Sequence, residues 1–444
     1  MKTSFVSKPF VVSAVVILFV GSSIGAIWLM TIFNYGIPPS LVTMFQQHRI
    51  LQIDGFLTLL IMGIGYMIIP RFRNVILSSK KFAYSSFFLV ITALAIQMAM
   101  IYFPTSILAD NIYSFTAILF TTMRVSGISI FVGIIFLMLK IQPRRLRLSD
   151  YFIALSVLTL LTLNVVELVN VHSVITSEED AVIPLLRFGS SLRYIELWLL
   201  FPITMIFGIE YKTLPSFLGF IRPNSSVGIL SFVLISCCVV FGLLSLIFYT
   251  ELLLVNPVFN LIFFASVITF IISIYALWGF DNSEIRSIIQ GEKKIRYNLT
   301  VVHTKVSFIV LLFGIFMAIL FDLTYGQDHK AYQFALYDLA IHTIAIGFIG
   351  ITISLYLPLM LPPIVGKTVK FTNLNNIPLL LIILSLGLRG LGDFILALGN
   401  PNFYHPLLSP FFTNDLLYLS LGLSGWLVII ALIVFVILVH RSMK

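Results

Sequence analysis

Apolar runs of about 20 residues recur along the whole chain, each long enough to cross a bilayer. They lie near 9–33, 40–70, 82–103, 113–139, 151–171, 183–209, 226–249, 257–279, 299–321, 332–360, 375–399 and 414–440. Backbone in lipid must satisfy its own hydrogen bonds, so these runs predict helices. The expected fold class is all-α: a polytopic membrane protein with about twelve transmembrane helices. No polar stretch between the runs is long enough for a soluble domain, so residues 1–444 read as a single integral membrane domain. The first run does not read as a cleaved signal peptide, because no small-residue cleavage site follows it.

The polar positions between the runs set an orientation. Alternate loops carry Arg71, Arg73, Lys80 and Lys81; Lys140, Arg144, Arg145 and Arg147; Lys212 and Arg222; Arg286, Lys293, Lys294 and Arg296; and Lys367 and Lys370. The intervening loops carry almost none, Lys330 being the exception. This is the positive-inside pattern, and it predicts a multi-pass protein of the cell membrane with both termini cytoplasmic. The net charge of +9 therefore reflects topology. Its spread over many short loops argues against a nucleic-acid partner and leaves the lipid bilayer as the expected surroundings. Composition agrees: the chain of 444 residues is 59% hydrophobic and only 10% charged, with a mean hydropathy of +1.07.

Against that background two histidines stand out, His48 in the second run and His342 in the tenth. A polar ring in hydrocarbon is costly, so each is a candidate functional residue. Pro38-Pro39-Ser40 reads as a helix start with Ser40 as cap. The helix is then expected to run to Ile69, ahead of Pro70. On that reading His48 lies roughly 12 Å below the outer end, and His342, counted from Tyr332, roughly 15 Å. The alternative is that each ring is a satisfied core residue bonding a neighbouring carbonyl. Two rings at matched depth could instead hold one flat iron porphyrin between them.

Other ionisable residues within the runs favour the same side. Arg124, Glu167, His172, Arg187, Arg193, Asp338, Arg389 and Asp393 map to the middle or outer half; the inner half holds chiefly His303 and Lys305. Arg193 with Glu196, and Arg389 with Asp393, are spaced to pair along one helix. A haem near the outer face needs cations for its propionates, and Arg49, Arg124 and Arg389 are candidate donors. Asp338, one turn before His342, could orient its ring. The Cys-x-x-Cys-His motif of covalent attachment is missing, so a haem would be non-covalent, of the b type. Cys237 and Cys238 are adjacent on one helix, about 100° apart, and read as small packing residues.

The stretch His48-Arg49-Ile50-Leu51-Gln52-Ile53-Asp54-Gly55-Phe56, followed by Gly63 and Pro70, resembles the second helix of the NnrS family. That family's pattern is His-x-His-Glu, then Gly-Phe, then a Gly-Phe-Leu-Leu stretch ending in Pro. Ile50 stands for its second His and Leu51 for its Glu. His342-Thr343-Ile344-Ala345-Ile346-Gly347-Phe348-Ile349-Gly350 is similar to the family's His-Ala-Leu-Thr-Val-Gly-Ala-Ile-Gly. Lys212-Thr213-Leu214-Pro215-Ser216-Phe217 is a third, shorter match. The resemblance implies a membrane protein containing haem and copper and linked to the nitric-oxide response. It also suggests a His at the outer end of the fifth run, where His172 stands. His172 is therefore a candidate copper ligand, and His329 and His405, in outer loops, are its candidate partners.

The same two helices resemble those of haem–copper oxidase subunit I, a twelve-helix bundle whose second and tenth helices hold the low-spin haem. That likeness implies His48 and His342 as axial ligands. The second centre of those oxidases does not carry over. The position of its haem ligand is Ala340, and the sixth and seventh runs lack the histidines of its copper site. Two function classes follow. One is a haem protein serving electron transfer or the nitric-oxide response, with an electron donor at the outer face. The other is a metal-free transporter or assembly subunit on the same scaffold.

Overall fold

The computed structural model describes residues 4–35, 39–102, 110–140, 146–176, 192–218, 222–247, 255–278, 288–324, 330–365, 370–398 and 414–442. These residues are almost wholly helical, and twelve of the helices are long and apolar enough to cross a membrane. In chain order the spans are Ser4–Tyr35, 39–73, Lys80–Tyr102, Asp110–Lys140, Leu148–Thr176, Leu192–Leu218, Ser225–Ile247, Val255–Ile274, Glu292–Thr324, 330–365, Ile377–Leu398 and Asn414–Ser442. The apolar runs of the sequence thus each become one helix.

Contacts divide the chain into two compact units. The first comprises residues 1–25 and 37–208, and the second residues 26–36 and 209–444. In the first unit the second span is the most enclosed, with 94% of its apolar window buried, against 33–50% for the third to fifth spans. A helix enclosed on all sides can carry polar side chains only where each finds a partner, and that is where this span places them. Small residues allow the close approach. A Cβ on Gly63 would lie 2.7 Å from Phe10 Cβ of the first span, and one on Gly208 would lie 2.9 Å from the Ser149 carbonyl of the fifth. One end of this unit is tied by Arg73, which bonds Asp150 Oδ2 and the Leu139 carbonyl, each at 3.0 Å.

The second unit is built the same way. Asn260 of the eighth span donates to Asp322 Oδ2 of the ninth at 2.8 Å. Ser385 of the eleventh donates to the Ser424 carbonyl of the twelfth at 2.7 Å. Neither cysteine forms a disulfide, and Cys238 is buried with its Sγ 3.7 Å from the Phe259 carbonyl, as expected of packing residues.

Two boundaries of the second span differ from the sequence reading. Its helix already includes Pro39, so Ser40 lies in the first turn rather than ahead of it. At the other end the helix passes through Pro70 to Arg73. Asn74 then stops it in the left-handed conformation, φ 54°. The Asn74 and Val75 amides close back onto the Arg71 and Pro70 carbonyls at 3.2 and 2.9 Å. A proline costs a helix one hydrogen bond, but the left-handed cap is what ends it.

Candidate functional site

The second and tenth spans share a local irregularity that no other described span has. Three residues after His48 the helix widens into a π-helical segment, Leu51–Leu57. The tenth span widens likewise over Thr343–Gly350, immediately after His342. A π segment inserts a residue into the α-helical register, is rare, and occurs frequently at functional sites. In the second span the widened turn is closed partly by Thr58, whose hydroxyl donates to the Ile53 carbonyl five residues back at 3.1 Å.

In the first unit His48 Nδ1 lies 2.8 Å from the Gly21 carbonyl of the first span. Gly25, one helical turn further on, makes room for the ring: a Cβ there would lie 2.5 Å from Nδ1. With Nδ1–H donating to a carbonyl, the imidazole lone pair is on Nε2.

Below this ring a polar cluster draws on five spans. Arg124 of the fourth, 1% exposed, pairs with Asp54 Oδ2 at 3.0 Å and Glu167 Oε2 at 2.6 Å. It also donates to Gln97 Oε1 of the third span at 3.1 Å. Tyr194 of the sixth donates to Glu167 Oε2 at 3.1 Å, and the Arg49 guanidinium lies 5.9 Å from the Tyr194 ring centre. Two arginines and two carboxylates so balance each other, with Arg124 and Asp54 buried and Arg49 and Glu167 half-buried. Asp54 sits within the π segment, so the Arg124 pair fixes that turn against the fourth span.

In the second unit Arg389 of the eleventh span makes a two-pronged pair with Asp338 of the tenth, Nε to Oδ2 at 2.5 Å and Nη2 to Oδ1 at 2.9 Å. Asp338 in turn flanks His342. Its carbonyl is 2.8 Å and its Oδ1 3.1 Å from His342 Nδ1. Arg389 Nη2 donates to His342 Nε2 at 3.2 Å, so here too the lone pair is on Nε2. The expected pairing of Arg389 with Asp393 is corrected. The guanidinium is directed across to the tenth span, whose carboxylate offers a fork-to-fork geometry that the same-helix neighbour does not. Both Asp393 oxygens lack a hydrogen-bond partner among the described residues.

The remaining sequence candidates fall out as follows. His172 is exposed near the end of the fifth span. Arg187, His329 and His405 lie outside the described residues, as does the side chain of Arg193. Among the described residues no group of three or more His, Cys, Asp or Glu side chains is arranged to hold a metal ion. Sequence reasoning missed the roles of Asp54, Gln97 and Tyr194, and also Glu210, a buried carboxylate near the far end of the sixth span. Asp54 and Glu210 were visible as charges inside apolar runs. The two π segments left no signal, since one inserted residue does not disturb a continuous apolar run.

No protein-family model and no curated protein matches the chain. Among solved structures it is similar to a haem–copper terminal oxidase dimer determined by cryo-EM. The TM-score is 0.68 at 14% identity, covering 100% of this chain and 84% of that one. At that identity the likeness shows the fold: an all-helical, multi-pass membrane protein with the haem–copper oxidase architecture.

Proposed function

We propose that the chain is a haem-binding membrane protein of the NnrS and oxidase-like type, serving electron transfer or the nitric-oxide response. His48 and His342 are the axial ligands in this reading, and the termini are cytoplasmic. One observation carries it. In each unit a half-buried histidine within a span, held through Nδ1 by a backbone carbonyl, stands no more than three residues ahead of a π-helical segment.

The donor set fits a haem iron. Both rings are anchored so that Nε2 carries the lone pair, which is how second-sphere carbonyls fix a metal-binding imidazole. His48 and His342 would hold the iron, and the bound group would supply one-electron transfer. Gly25 leaves the space in which His48 stands, and Asp338 orients His342. Arg389 would release His342 Nε2 while keeping both bonds to Asp338, because those bonds use other hydrogens. Arg124 and Arg389 spend their charge on carboxylates within their own units. Arg49, which follows His48 in the chain, Arg124 and Arg389 are the proposed positive charges for the propionates. Copper at His172 would need ligands beyond those described, with His329 and His405 as the proposed partners.

An absorbance spectrum of the purified protein tests the reading. A Soret band is expected, lost or shifted in His48→Ala and in His342→Ala. A featureless visible spectrum from protein expressed with ample haem would refute haem binding and favour the transporter or assembly alternative.

A further inference from the structure

The cation-rich end of the first unit is more organised than an alternation of loop charge requires. The two connections there, residues 70–81 and 139–150, carry eight Lys or Arg against one carboxylate, Asp150. That carboxylate is already occupied. Asp150 is buried, and its Oδ2 accepts from Arg73 Nη1 at 3.0 Å and from the Arg147 amide at 2.8 Å. Arg73 Nη2 also donates to the Leu139 carbonyl at the end of the fourth span, 3.0 Å away.

One buried ion pair thus draws the ends of the second, fourth and fifth spans together, and three exposed cations with them. Arg71 is two residues before Arg73, Lys140 follows Leu139, and Arg147 is held through its own amide. Among the described residues no carboxylate forms a salt bridge with any of the three. Lys80 and Lys81, also exposed, open the third span after a short loop.

Apolar side chains stand among these charges. Leu77 is buried and pins the loop, whereas Ile76 beside it is 84% exposed. Leu146, next to Arg147, is 44% exposed, and Phe82, next to Lys81, is exposed as well. A phospholipid matches both features. Its phosphate suits a guanidinium fork, and its acyl chains suit the apolar groups. Clusters of about four to eight basic residues at the end of a transmembrane helix attract anionic lipid. An acidic protein would meet the cations but would leave no reason for apolar side chains at headgroup level.

We propose that Arg71, Lys140 and Arg147, arranged about the Arg73–Asp150 pair, bind the phosphate of an anionic phospholipid in the leaflet that meets this end, with Ile76 and Leu146 against its acyl chains. Lys80 and Lys81 add attraction over a longer range. The proposal is independent of haem.

Native mass spectrometry of the full-length protein, delipidated in detergent and titrated with phosphatidylglycerol, tests it. A saturable lipid adduct is expected, and phosphatidylcholine at the same concentration should give none. The triple variant Arg71→Gln, Lys140→Gln, Arg147→Gln should weaken the adduct roughly tenfold or more. It should keep the parent's thermal midpoint, because none of the three side chains is buried. A control triple on the second unit, Lys293→Gln, Lys294→Gln, Arg296→Gln, should bind as the parent does. Equal loss in both triples would mean diffuse attraction to any basic loop and would overturn the site. So would displacement of the lipid by excess inorganic phosphate, which would make it a free-phosphate site. A polyglutamate peptide that binds more tightly than the lipid would assign the face to an acidic protein instead.

Discussion

Arg389 and Asp338 form a buried two-pronged ion pair between the eleventh and tenth spans, and the same guanidinium reaches His342 Nε2 at 3.2 Å. The pair thus does two things at once. It neutralises two charges in a water-free setting, and it fixes the helical turn from which His342 projects. Arg124 and Asp54 repeat the device in the other unit, where the aspartate lies within the π segment that follows His48.

Breaking either pair from one side should be severe. Removing one partner leaves an uncompensated buried charge, which costs about 3–5 kcal/mol. Asp338→Asn and Arg124→Gln should each lower the thermal midpoint of the detergent-solubilised protein sharply. Replacing both partners by apolar residues, as in Asp338→Leu with Arg389→Leu, should recover much of that loss. A double variant no more stable than Asp338→Asn would contradict this account.

Gly25 should tolerate no side chain. A Cβ would fall 2.5 Å from the His48 ring, so Gly25→Val must displace the imidazole or the first span. Overpacking of this kind costs about 1–3 kcal/mol. If His48 is an iron ligand, Gly25→Val should also change the haem spectrum, while Gly133→Ala, in open space, should leave it unaltered. An unchanged spectrum in Gly25→Val would argue against His48 as a ligand.

Topology makes a third prediction. The Lys/Arg alternation predicts both termini in the cytoplasm. A reporter fused after Lys444 that is active only outside the cell should give no signal, and one active only inside should give a full signal. The reverse result would invert the assignment of inner and outer ends.

Turnover makes a fourth. If a haem is bound by both His48 and His342, as proposed, no site is left open for a gas unless one ligand leaves. Ala340 and the histidine-free sixth and seventh spans provide no ligands of the oxidase type for a second centre. Reduced protein mixed with oxygen or nitric oxide should therefore show negligible sustained consumption. Multi-turnover consumption by the isolated chain would mean that a catalytic metal site lies elsewhere.

Much of the fold was decided by the sequence itself. Apolar runs of bilayer length have one stable form in lipid, so twelve helices follow from composition and length alone. His48 and His342 were legible because an imidazole in such a run is conspicuous. Which partner each buried charge takes was decided by tertiary structure. Arg389 has Asp393 one turn away on its own helix, yet it pairs with Asp338, because pairing depends on which faces of two spans meet. The same holds for Arg124, whose partners Asp54, Gln97 and Glu167 come from three other spans. The π segments belong to the same class. They change the backbone register without changing the hydrophobic pattern, so only the packed helix reveals the turn that follows each histidine.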